Sequence, residues 1–69
     1  MSPIEKAVEI LGGQTKLARA VGVKPSFVSQ WLSGQRLVPA TRCGAIESAT
    51  GGKVTREDLR PDVFSSAAA

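Results

Sequence analysis

The sequence predicts an all-α domain built from five short helices. Three observations carry that expectation. Apolar residues recur at helical spacing, as Ile4, Ala7, Val8 and Leu11 do at i, i+3, i+4 and i+7. Glycine or proline follows each such run, at Gly12-Gly13, Gly22, Gly34, Gly51-Gly52 and Pro61. Apart from Lys53-Val54, which has an extended reading open to it, nothing alternates as a strand does.

The first helix opens at Ser2-Pro3-Ile4-Glu5, where Ser2 caps, Pro3 suits the first turn and Glu5 reaches back in a capping box. A second runs from about Gln14 to Val21, with Leu17, Ala18 and Val21 on one face. The third opens near Lys24-Pro25-Ser26 and runs to about Ser33, facing inward with Val28, Trp31 and Leu32. Its outward face is Ser26, Ser29, Gln30 and Ser33, with Phe27 at the margin. Beyond a loop at Ser33-Gly34-Gln35-Arg36, Pro39 starts a fourth helix to about Thr50, with Cys43, Ile46 and either Ala49 or Thr50 inward. Thr55-Arg56-Glu57-Asp58 resembles a second capping box, opening a last short helix around Leu59 that Pro61 closes. Val54, Leu59, Val63 and Phe64 are an apolar set to be covered. Residues 1–64 form the expected domain and 65–69 a disordered tail.

A chain of 69 residues, 42% of them apolar, bounds the molecule to one domain with a thin core. Its single cysteine, Cys43, excludes an intrachain disulfide and fits a reducing compartment. No apolar run approaches the ~20 residues that span a bilayer, and MSPIEK lacks the features of a signal peptide. The expectation is a cytoplasmic protein, bacterial or phage-encoded, without a membrane partner. Histidine and tyrosine are absent. That leaves no Ser-His pair, no zinc cluster and no phosphate-cradling glycine loop, which argues against an enzyme and against a metal or cofactor.

Charge is segregated along the chain. No acid lies between Glu9 and Glu47, a block that holds Lys16, Arg19, Lys24, Arg36 and Arg42. The remaining four basic and six acidic residues bring the total down to +3. Such a block is either the footprint of a polyanion binder or a solvated basic face.

Residues 14–33, QTKLARAVGVKPSFVSQWLS, meet the steric recipe of a helix-turn-helix. Ala18 is small where the helices cross. Gly22, four residues on, suits a turn that needs positive φ. Val23 plugs the core behind the turn, and Leu17, Val21, Val28 and Trp31 supply the contact between the helices. The spacing of Trp31 from Val28 marks it as a core wedge rather than a stacking platform.

This stretch resembles the helix-turn-helix of the phage repressor family, of lambda-repressor-like or Cro/CI type. The overall length, the WLSG ending and the tail VTREDLRPDVF are similar to its short branch of Cro-like and YdaS-like regulators, over residues 3 to about 64. The resemblance implies a homodimeric repressor bound to a pseudo-palindromic operator in a prophage-like element. It also places Gln14 against a phosphate and Lys24, Pro25, Ser26 and Phe27, with Gln30 a turn further on, at base edges. Pro25 and Phe27 depart from the family, which often carries long polar residues there. Phe27 either touches a thymine methyl or packs as core, the latter being preferred.

The side-chain chemistry points the same way. Glutamine matches the donor and acceptor that adenine shows in the major groove, and a serine serves any base, so Ser26, Ser29 and Gln30 form a reading face. Gln14, Thr15 and Lys16 at one helix start, with Gln35, Arg36, Thr41 and Arg42 on the other flank, are the expected phosphate contacts. Arg19 faces the same way or pairs with Glu9 or another acid. The expected partner is double-stranded DNA. The rival is a protein-interaction module, such as an antitoxin whose main partner is a protein.

Overall fold

A computed structural model describes residues 1–64; the tail expected at 65–69 lies outside the described residues. Its elements are all helical: α1 (Pro3–Leu11), α2 (Gln14–Val21), α3 (Pro25–Ser33), α4 (Ala40–Ala49), α5 (Arg56–Leu59) and α6 (Pro61–Phe64). Lys53-Val54 forms no strand. The count is six rather than five, because Pro61 opens a further turn instead of only closing one. Proline lacks an N–H, and the first position of a helix does not need one.

Local chemistry sets the ends of the outer helices. At α1 the Ser2 Oγ accepts the Glu5 amide at 3.2 Å while the Glu5 carboxylate accepts the Ser2 amide at 3.1 Å. This pairing holds the Glu5 carboxyl below its ordinary pKa, chiefly through the Ser2 backbone bond. Thr55 and Asp58 repeat the reciprocal box at α5, both bonds at 3.1 Å.

The core lies where α2 meets α1, α3 and α4. Leu17, Val28, Cys43, Ile46 and Val54 are completely buried, and Ala7, Ala18, Val21 and Trp31 pack with them. Burial pushes the Cys43 thiol above its ordinary pKa. Of the two candidates at the end of α4, Thr50 is the inward residue. Its hydroxyl lies 3.0 Å from the Ile46 carbonyl and accepts the Val54 amide at 3.1 Å, so a buried polar group is satisfied. Leu59 and Phe64 close the core from the C-terminal side, whereas Val63 stays exposed.

Two arginines clip the C-terminal segment in place. Arg56 donates its amide to the Glu47 carboxylate at 2.9 Å. Its guanidinium lies over Gly44, where an added β-carbon would meet it at 3.2 Å and the half-exposed arginine would have to shift. Arg60 bonds Asp62 through two nitrogens, at 2.9 and 2.7 Å, and donates a third bond to the Val38 carbonyl at 2.9 Å. The loop behind α3 is thereby tied to the last helical turn.

Candidate nucleic-acid interface

The turn between α2 and α3 is built as the sequence requires. Ala18 is buried at the crossing, and Gly22 ends α2 with φ at 84°, in the left-handed region that side chains avoid. The Ala18 carbonyl accepts both the Gly22 amide at 2.8 Å and the Val23 amide at 3.0 Å. With Val28 and Trp31 turned into the core, Lys24, Pro25, Ser26 and Ser29 are left exposed on α3.

Two residues of the expected reading face behave differently. Phe27 does not pack as core: it is 40% exposed, on the flank of α3 that faces α4. Gln30 is half-buried rather than free on the outward face, and its Oε1 is shielded from solvent without a hydrogen-bond partner. An unpaired buried acceptor costs about 1–3 kcal/mol, so this amide oxygen gains from any donor that draws it outward.

The expected phosphate-contacting residues Gln14, Thr15, Lys16, Gln35, Arg36, Thr41 and Arg42 are all exposed. Gln14, Thr15 and Lys16 form the first turn of α2, whose cap position, Gly13, offers no side-chain acceptor. The Lys16 stem folds back over Gly12, placing its ammonium at the C-terminal end of α1. The starts of α3 at Lys24 and of α4 at Pro39 also lack a side-chain cap; the Lys24 and Pro39 carbonyls take the Phe27 and Arg42 amides at 2.9 and 2.8 Å, which leaves the amides ahead of those two without a capping side chain.

These helix starts share one continuous surface. A shallow depression lined by Thr15, Ala18, Arg19, Val23 and Pro25 joins α2 to the head of α3. Val23 also borders a groove of about 530 Å³ that runs between α3 and the start of α4, past Phe27, Trp31, Leu37, Arg36 and Arg42. Among the described residues no ion pair involves Lys16, Arg19, Lys24, Arg36 or Arg42, so the alternative in which Arg19 pairs with Glu9 or another acid is not seen there. Arg42 makes one long bond, 3.5 Å, to the Val21 carbonyl. Sequence reasoning passed over Leu37, which is 68% exposed, and Val38, which is buried. An adjacent apolar pair in a loop has to send its two side chains opposite ways, and that was the available signal.

A family model described as bacterial toxin YdaS matches residues 4–68. The chain belongs to the YdaS family. Over 59 residues it is 51% identical to a protein of Escherichia coli K12 that bears the name "Putative transcriptional regulator YdaS", covering 86% of this chain. The match takes in 60% of that relative, so the chain spans less than two thirds of its length. The Gene 30 protein of Enterobacteria phage phi80 is 35% identical over 66 residues, which are 94% of this chain and 88% of that protein. Among solved structures, the Cro protein from a prophage element, Xfaso 1, of Xylella fastidiosa strain Ann-1 is similar at a TM-score of 0.85 and 45% identity. The overlap covers 93% of this chain and 97% of that one. A Cro-type helical fold is thus shared along nearly the whole chain, and among the described residues no helix is long and apolar enough to cross a membrane.

Proposed function

We propose that this chain is a sequence-specific, double-stranded DNA-binding transcriptional regulator of Cro type. It acts as a homodimer on a pseudo-palindromic operator and reads the major groove with α3. One observation carries the reading: three helix starts without a side-chain cap and five cations with no ion pair among the described residues share the acid-free block that surrounds an exposed serine face. Phosphates supply the acceptors that the first turns of α2 and α4 lack, and Arg36 and Arg42 hold the backbone beyond α3. Ser26 and Ser29 meet base edges. Gln30 swings out so that its unsatisfied Oε1 accepts from the adenine amine while its NH₂ donates to adenine N7. Phe27, on the surface rather than in the core, meets a thymine methyl.

The family's description as a toxin and the relative's name as a regulator fit one activity: a regulator that occupied host promoters would harm its host. Selection of bound duplexes from a random pool tests the reading. The enriched site should show two-fold symmetry with half-sites about 34 Å apart, and affinity should fall steeply with added salt. Weak binding that ignores base sequence would instead favour the protein-interaction module.

A further inference from the structure

The groove between α3 and the start of α4 has a composition that a phosphate backbone leaves half used. Apolar side chains line it, Phe27, Trp31 and Leu37 with Val23 and Pro39, and beside them stand Arg36, Arg42 and Thr41. Phe27 and Leu37 are two of the five large apolar side chains left exposed among the described residues, and they flank one groove. Single exposed apolar residues are ordinary, whereas two that share one groove beside arginines form a candidate contact surface. No carboxylate lines the groove, and neither arginine has one within ion-pair reach among the described residues.

Charge selects the occupant. A second copy docked groove to groove would crowd four arginines together with no acid between them. A duplex satisfies the guanidiniums through its phosphates and reaches Phe27 with a thymine methyl, but leaves Leu37 and the edge of Trp31 uncovered in a space of about 530 Å³. A peptide segment that carries an apolar anchor beside carboxylates satisfies both, since arginine pairs bidentately with carboxylate and the anchor fills the apolar floor.

We infer that this groove is a docking site for an acidic segment of a protein partner, anchored by aromatic or aliphatic side chains between Phe27, Trp31 and Leu37. Because Arg36 and Arg42 serve this site and the phosphate contacts alike, the segment and a duplex exclude one another. The exclusion rests on the DNA reading proposed above; peptide docking does not.

Trp31 is the sole tryptophan in the sequence and borders the groove, so its fluorescence reports occupancy directly. The probe is a short blocked peptide of aspartates and glutamates around one Leu-Phe pair, titrated into the full chain. The expected result is a saturable change that Leu37→Ser and Arg42→Gln each weaken by about tenfold. Ile10→Ser, which removes an exposed apolar residue on α1, should leave it unchanged. Circular dichroism melts confirm that the variants fold, which the exposure of Leu37 favours. Equal binding of a version with lysines for the acids, or with alanines for Leu-Phe, overturns the proposal. So does a Leu37→Ser chain that binds the peptide normally, or one whose only change in sedimentation is loss of a self-associated species. In a second arm the peptide is added to chain already bound to its selected duplex, and release is expected. A duplex that stays bound beside the peptide overturns the exclusion, while a chain that binds no duplex overturns the DNA reading and leaves the fluorescence result standing.

Discussion

At the start of α1 and of α5 a side chain closes the helix end through a reciprocal box; at the starts of α2, α3 and α4 none does. The same boundary divides the charges. Among the described residues both ion pairs, Arg56–Glu47 and Arg60–Asp62, lie in the C-terminal region, and none involves a cation of the block from Lys16 to Arg42. The two capping boxes and the two arginine clips thus close polar groups outside the block, and among the described residues nothing comparable closes those within it. The difference separates residues that keep the chain folded from residues that await a ligand, and it makes folding and binding separable by mutation.

The largest effect should come from the closed region. Ile46 is completely buried, so Ile46→Ala should cost about 2–5 kcal/mol of folding stability. In a domain of this size that lowers the melting midpoint by roughly 4–8 °C for each kcal/mol. Retained melting would mean that α4 is not the scaffold described. Next, Gln30→Ala should cost about 1–3 kcal/mol in duplex affinity and relax discrimination at one base pair. The same variant should melt no lower than the parent, since the lost Oε1 has no partner. A uniform loss across all duplexes would remove Gln30 from base reading.

A sharper probe moves the two properties in opposite directions. Lys24 caps α3 with extended backbone but no side-chain acceptor. Lys24→Ser should stabilise the fold by about 0.5–2 kcal/mol while weakening duplex binding, measured by melting and by fluorescence anisotropy on one preparation. If both rise together, the uncapped helix start is incidental to binding. Arg36→Ala should weaken all duplexes alike and reduce the salt slope by about 1.

The smallest effect is acid-dependent. The Arg60 guanidinium holds the Asp62 carboxyl below its ordinary pKa through their hydrogen bonds. A carboxyl so lowered contributes stability above its unfolded pKa, and that contribution disappears as pH falls through the folded value. Asp62→Asn should thus narrow the gap between melts taken near neutrality and well below the ordinary carboxylate range. An unchanged gap would show that the Arg60 clip carries no stability.

How far the sequence revealed this arrangement depends on how many constraints met at one position. Ala18, Gly22 and Val28 were legible because a crossing, a turn and a buried stripe each fix residue type at set spacing. Pro61 was not, since proline ends one helix and begins another with the same ring geometry. Phe27 lies on the margin of its helix, where periodicity does not distinguish core from surface. The tuck of Gln30 depends on side-chain torsion, which spacing does not encode. Leu37 escaped because a loop has no period to read.

The three-way bond of Arg60 has a practical corollary. By gripping Val38 and Asp62 together, it couples the last helical turn mechanically to the segment that leaves the recognition helix. A load applied at Phe64 would therefore be passed through Arg60 to that segment.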